Sequence, residues 1–541
     1  MTDATPFKSN IKHIVYVMME NRSFDALLGW MYDGNAHPAQ VHNIPATRQP
    51  SFHGLTPELC QKFAQPLVRK YKKSQKTLHP IVRGVQGNLL PNSTPILDPQ
   101  EDFTPVHAQQ FQYTPADQKA PAMLGFLQNY YDAHPSFDVL DGWKEILQTY
   151  DFDHAPIINT LGCEYGVSDE WFCSIPSQTS INRAFSISGN SVGYQTEQDA
   201  NANFTTAMVN NNQWGGAFNV NPAPFITPTI WNVLSDHGFG TEKDWKIYYS
   251  DAYLAGLFDH KTSYTYLMFG ALQRLLNPHD TKEVNDPRYQ QLQSFYDDAA
   301  AGTLPRFSYL EPRYTWEIAA KIGVHGTDYH PPSDIRGGEA FLRDIYNALK
   351  CSPCWDSTLL VVAFDEHGGT FDHISPPDTA INPLKADQNE CGFDFNSFGV
   401  RVPMLFISPW VKQHSVIRSG DPQHPFDHTS WLATLLDWFG LHKDCLGPRV
   451  AAAPTFGDII SATKRGDVKL PPLANIAAVS GIGEKAITAE LAKLATDILS
   501  ANEPGSDRLA ILKEIVTKFD TEHGVYSDLQ AKMDDWVAKN S

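Results

Sequence analysis

Three features of this sequence predict an α/β fold. Apolar runs recur, each long enough for one buried strand. Helical patterning stands between several of them, and carboxylates cluster where two of the runs end. Residues 359–364 form the clearest run, apolar and rich in β-branched side chains, as a strand covered on both faces must be. It exits into Asp365-Glu366-His367-Gly368-Gly369. Residues 14–19 are its counterpart and exit into Glu20-Asn21-Arg22-Ser23-Phe24-Asp25. Ligands of open α/β sheets collect outside the carboxyl ends of strands, so the two exits read as halves of a hard-metal site. Two polar strand exits with no shared task remain the alternative.

The other elements follow in chain order. Residues 1–35 read as strand, metal loop and helix start. Residues 36–105 are rich in Pro, Gln and His with little periodicity, which predicts a long surface excursion or active-site rim. Helical patterning appears within 137–167, at Ile146, Leu147, Ile157, Ile158 and Leu161, and residues 245–249 alternate like a strand. Asp286 followed by Pro287 predicts a helix running to about residue 301. Residues 306–311 form a short strand ended by Pro312. Asp334 caps a helix through residue 349, residues 401–408 form a strand stopped by Pro409, and Thr429 opens a helix through residue 439. Beyond about 450 the composition changes. Ala451-Ala452-Ala453-Pro454 and Leu470-Pro471-Pro472 read as linkers, and amphipathic helices are expected at 484–501, 507–519 and 528–539. The expected organisation is therefore a main domain over 1–450 and a linker with a helical extension over 451–541.

Composition narrows the class. At 42% apolar and 12% aromatic, the 541 residues can bury a sizeable core. A net charge of -19 argues against nucleic-acid binding, which rests on neutralising phosphates, and disfavours broad attachment to anionic membranes. A pocket of local positive charge stays compatible with it. No run approaches the roughly 20 apolar residues of a membrane span, and no signal-like apolar segment follows Met1. The expected location is the cytoplasm, or outside it by a signal-independent secretion system. Seven Cys at irregular spacing suit a reducing compartment. Cys351-Ser352-Pro353-Cys354 has redox or zinc spacing but no second pair.

Five motifs, taken in order, carry a family resemblance: residues 19–25, Pro176 through Asn182-Arg183, Asp328-Tyr329-His330-Pro331-Pro332, residues 365–369, and Phe426-Asp427-His428-Thr429-Ser430. Together they resemble the bacterial and plant non-specific phospholipase C and acid phosphatase family, a branch of the alkaline-phosphatase-like phosphoesterases. The resemblance implies a three-layer alkaline-phosphatase-like α/β sandwich. It also implies one divalent cation, Ca, Mg, Mn or Zn, held by Glu20, Asn21, Asp365 and Glu366 with the hydroxyl of Thr179. An all-oxygen shell of that kind suits a hard cation. A turn-capping role remains the alternative, for Asn21 above all.

The family's nucleophile, a Ser or Thr three residues before an Asn-Arg pair, falls on Thr179. Here Ser177-Gln178-Thr179 replaces the usual Gly-Pro-Thr/Ser, and Ser177 and Ser180 are the neighbouring candidates. Among the histidines, His330 matches the family's position and His107 matches a second one more loosely. His367, beside the metal carboxylates, serves either the reaction or the orientation of Asp365 and Glu366. His373 and His428 read as pocket supports. The implied reaction is hydrolysis of a phosphate ester through a phosphothreonine at Thr179. The expected substrates are phosphatidylcholine-type phospholipids, cleaved to diacylglycerol and a phosphorylated head group; the alternative is an acid phosphatase acting on monoesters. A binding protein that merely inherited the fold would have lost a ligand, and all five are present. A transferase passing the group to an alcohol stays open.

Overall fold

In a computed structural model, the described residues are 6–470 apart from 33–40, 49–50, 70–75, 86–90, 96, 98, 135–141, 196, 211–222, 251–262, 282–283, 315–325, 384–385 and 467. Nine strands build the main sheet: β1 (His13–Met19), β2 (His42–Ile44), β3 (Gly166–Ser168), β4 (Trp245–Tyr249), β5 (Tyr289–Gln291), β6 (Phe307–Glu311), β7 (Thr358–Phe364), β8 (Met404–Ile407) and β9 (Ser415–Ile417). Their spatial order is β5-β4-β6-β1-β7-β8-β3-β9-β2. Every neighbouring pair is parallel except those made by β8, which runs against both β7 and β3.

Alternation along the strands shows the two faces. Trp245 of β4 meets Trp231 of helix α4 (Ile230–Asp236), whereas Tyr248 turns the other way to Phe295 of helix α5 (Leu292–Ala301). On the first face Tyr16 of β1 stacks on Trp431 at 4.2 Å, and its hydroxyl meets that of Ser186 at 3.0 Å. That face is covered by α4 with helices α3 (Thr179–Ser188) and α7 (His428–Phe439). The second is covered by α5 with α2 (Pro156–Glu164) and α6 (Arg336–Lys350). The result is the expected three-layer α/β sandwich. β1 and β7 lie at its centre, buried on both sides, and this is why their sequences are unbroken apolar runs.

The structure departs from expectation at three places, the first being residues 451 and 452, expected to begin a linker, which instead end a short helix, Pro448–Ala452. Residues 286–291 do not start a helix: Tyr289–Gln291 pairs with β4 as the sheet edge, and α5 begins only at Leu292. Asp286 instead accepts from the backbone N–H and side chain of Arg288, so its capping group is spent on a turn. The excursion over 36–105 contains helix α1 (Pro57–Lys62) and a hairpin, Gln65–Val68 with Lys76–His79. Past 450 the chain keeps contact with the main core through Phe456, Ile459, Ile460 and Val468. The helices expected beyond 484 lie outside the described residues. Among the described residues, no helix is long and apolar enough to cross a membrane.

Candidate active site

The register of β1 and β7 creates the site. Met19 pairs with Phe364, so Glu20 and Asp365 emerge side by side at adjacent carboxyl ends. The next residues cross over: the Asn21 N–H donates to Asp365 Oδ1 at 3.0 Å, and the Glu366 N–H donates to the same oxygen at 2.7 Å. Asn21 sits at φ 54°. Gly368, at φ 57°, passes so close that a Cβ there would stand 2.2 Å from the Asn21 carbonyl oxygen. The glycine of the Gly-Gly turn is therefore required by the approach of the opposite loop as well as by its own backbone.

Helix α3 brings the hydroxyl. Asn182 fixes the loop before it, accepting from the Ile175 N–H and donating to the Ser177 carbonyl. Thr179 is the first helical residue, and its hydroxyl lies 3.3 Å from Glu20 Oε2 and 3.1 Å from Asn21 Oδ1. Ser177 donates to the Val209 carbonyl and Ser180 pairs with the Tyr264 hydroxyl. Of the three candidates, only Thr179 faces the two strand exits. One turn on, Arg183 places Nη2 2.6 Å from Glu20 and Nε 3.1 Å from Asp365.

Charge in this pocket is unbalanced. Glu20, Asp365 and Glu366 are all buried, and Glu101 lies close by, holding the Asn21 amide at 2.6 Å. Against them stands the Arg183 guanidinium. Burial, followed by the neighbouring Asp365, pushes the Glu20 carboxyl well above the usual range. Burial, then Glu101 and Asp365, does the same to Glu366. Glu366 Oε2 accepts the Gly368 N–H at 2.6 Å, while its Oε1 is buried without a hydrogen-bond partner. A surplus of buried carboxylate and an orphaned oxygen match the donor set of an all-oxygen cation site. The residues therefore fit a divalent metal.

The histidines divide. His367 is buried, with Nε2 2.7 Å from Gln109 Oε1 and Nδ1 3.3 Å from Glu366; burial pushes it down to about 3. His330 is half-buried on a loop held by its neighbours. Tyr329, at φ 72°, accepts from Arg22 Nε through its carbonyl and donates its hydroxyl to Glu339 at 2.5 Å. Its ring rests on Gly338, where a Cβ would fall 2.2 Å from Tyr329 Cδ2. His107 is not brought to the cluster: it is exposed on the helix Phe103–Phe111 and stacks on Phe111, while Gln109 of that helix reaches inward. His428 accepts from the Trp171 indole at Nδ1 and so donates from Nε2 to the Asp365 carbonyl at 2.6 Å, steadying the end of β7.

Sequence reasoning missed Gln109, Glu101 and, most of all, Arg401. Asp25, Asp372 and His373 bring ligand atoms within 4.8 Å of one another, a second set that suits a metal by residue type. Arg401 fills it. Nε donates to Asp372 and Nη2 to both Asp25 and Asp372, while Nη1 serves the carbonyls of His53 and Asp169. All five donors are used, so the cluster is a closed ion-pair network behind the two loops.

Comparison with known proteins shows what the chain is similar to. The sequence model of the Phosphoesterase family matches residues 11–442. Non-specific phospholipase C6 of Arabidopsis thaliana is 28% identical over 481 residues, covering 86% of this chain and 76% of that protein. Non-specific phospholipase C3 of the same plant is 30% identical over 478 residues, covering 86% and 77%. Among solved structures, a protein in the alkaline phosphatase superfamily from Vibrio parahaemolyticus aligns with 72% of this chain and 76% of its own, at 10% identity and a TM-score of 0.29.

Proposed function

The chain belongs to the Phosphoesterase family and is a hydrolase acting on phosphate esters, and from that premise we propose that it is a phospholipase C working through Thr179. The observation that carries the reading is the placement of the Thr179 hydroxyl. It stands at the start of α3, within 3.3 Å of Glu20 and 3.1 Å of Asn21. A helix start aims backbone N–H groups at an anion, so phosphoryl oxygens are received where the nucleophile waits.

Glu20, Asn21, Asp365 and Glu366 would hold one divalent cation beside Thr179, which when bound supplies positive charge against the phosphoryl group and acidifies the hydroxyl. Thr179 Oγ1 gives up its proton to Glu20, whose Oε2 lies 3.3 Å away, and attacks phosphorus, and the bond from phosphorus to the glyceride oxygen breaks. His330 protonates that leaving oxygen, and diacylglycerol departs. Water then attacks phosphorus and gives a proton to His330, the Thr179–phosphorus bond breaks, and the phosphorylated head group leaves as Thr179 takes its proton back from Glu20. Arg183 holds Glu20 and Asp365 in place throughout. His367, between Gln109 and Glu366, orients the carboxylate.

A diester is favoured over a monoester by two observations. The relatives are named phospholipases, and the guanidinium of Arg183, the described cation beside Thr179, is taken up by Glu20 and Asp365. Few cations at the phosphoryl group suit one negative charge better than two. The test compares phosphatidylcholine with an aryl phosphate monoester across pH. Diglyceride release is expected, and rapid monoester cleavage without it would replace this reading with an acid phosphatase.

A further inference from the structure

We propose that the hairpin Gln65–Val68/Lys76–His79 and the Trp143 region behind it form a docking surface for an anionic lipid bilayer. Charge is the first observation. From Lys62 to Arg83 the sequence has no Asp or Glu and seven Lys or Arg, of which Lys62, Arg69, Lys76 and Arg83 are among the described residues and belong to the patch, in a chain whose 61 acidic residues outnumber 42 basic ones. The nearest acidic residues in sequence are Glu58 and Asp98. A local field opposite in sign to the whole molecule is what brings one face of an acidic protein to a negative surface.

Geometry is the second. Lys76, Arg83 and Lys144 are exposed, and the cations are arrayed over aromatic rings: Arg69 and Lys144 over Trp143, Lys76 over Tyr113 and Arg83 over Trp30. His79 meets the edge of the same Trp143 ring, which ties the hairpin to the Lys144 side of the patch. Among the described residues, the acidic neighbours are Asp132, Asp151 and Glu145, and Asp132 acts on the Tyr113 ring that lies under Lys76. Asp151 lies 3.6 Å from Arg83, and the buried Glu145 is held by the Tyr130 hydroxyl.

Apolar exposure is the third. Among the described residues four large hydrophobics are exposed, and two of them, Leu78 at 64% and Val82 at 41%, stand on this patch. Exposed apolar side chains between cations suit the boundary of head groups and acyl chains, and have no counterpart on a nucleic acid backbone. The patch also connects to the site. The helix Phe126–Ala133 accepts the Val68 N–H on its Gln128, and its Phe126 meets the edge of the His367 ring.

The inference deepens the phospholipase reading, so docking and turnover have to be measured apart. The full chain is sedimented with vesicles of phosphatidylcholine, with and without phosphatidylserine. Binding is expected with phosphatidylserine and is expected to fall at high salt. Lys76→Gln with Lys144→Gln is expected to lower the partition about 25-fold, at about fivefold per charge, and Leu78→Ser to lower it further. Each variant should keep its melting temperature and its rate on a water-soluble diester. A double variant that sediments like the parent, a parent that ignores phosphatidylserine, or a patch that retains duplex DNA and no vesicles would overturn the assignment. A parent that docks but releases no diglyceride leaves the docking surface standing and refutes the substrate reading alone.

Discussion

Replacing Arg401 by Met is expected to cost about 3–5 kcal/mol of folding stability at neutral pH, the range found when one partner of a buried ion pair is removed. The structure sets that size. Asp25 and Asp372 are both fully buried, and the guanidinium touches both. With Met in its place the two carboxyls keep His373, 2.6 Å from Asp25, and the backbone N–H groups of Asp25, His373 and Ile374, and the carbonyls of His53 and Asp169 lose their donor. Met keeps an apolar stem against Phe24, over whose ring the guanidinium lies at 4.5 Å, so packing loss is a minor part. Unfolding by denaturant at pH 7 measures the cost. The pH dependence adds a sign. In the native protein burial raises Asp372 to about 6 against the pull of Arg401, whereas Asp25, despite its burial, is lowered by His373 and Arg401. Without Arg401 the Asp372 carboxyl moves further above its unfolded value, so the native state binds more protons there than the unfolded one and the contribution of Asp372 to stability rises as pH falls from 7 towards 4, while Asp25 keeps His373, the larger of the two groups that lower it. A loss below about 1 kcal/mol would refute this reasoning. So would a variant whose stability returns with added Ca or Mg, because Asp25, Asp372 and His373 would then be metal ligands in their own right.

Thr179→Ala is expected to lower kcat at least ~10³-fold with an unchanged melting temperature. Thr179→Ser should restore part of the rate, and phosphoryl label trapped on Ser177 or Ser180 would move the nucleophile. Glu366→Gln is expected to weaken divalent-cation affinity at least about tenfold by calorimetric titration, without lowering the stability of metal-free protein, since it removes a buried charge whose Oε1 has no partner; unchanged affinity would take Glu366 out of the site. Gly338→Ala is expected to cost about 1–3 kcal/mol, because the added methyl meets Tyr329. It should lower kcat more than it raises KM, through the displaced His330 loop. A fully active Gly338→Ala protein would show that Tyr329 does not position His330.

Local chemistry was legible in the sequence, and the pairing of distant segments was not. β1 and β7 could be read because burial on both faces leaves an uninterrupted apolar run. Their adjacency, with Met19 opposite Phe364, is a non-local fact that no spacing records, and it turns two acidic exits into one pocket. The edge strand at Tyr289 was missed for the same reason: Asp286-Pro287 is a sound helix start, and pairing with Ile247 overrides it. His107 and Gln109 give the sharpest case. Two positions along a helix are about 200° apart, so once Gln109 turns inward to His367, His107 has to face solvent. A motif match alone favours the histidine because histidines do chemistry, while the helix decides which of the two can reach. Residue type misleads in the same way at Asp25, Asp372 and His373, a set any metal pattern would accept. What separates it from Glu20, Asp365 and Glu366 is the count of donors. Arg401 uses all five of its donors, three of them on Asp25 and Asp372, whereas Arg183 leaves Nη1 without a partner and Glu366 keeps a bare oxygen. The closed network braces the two loops, and the open one is where an incoming cation and phosphate have something left to bind.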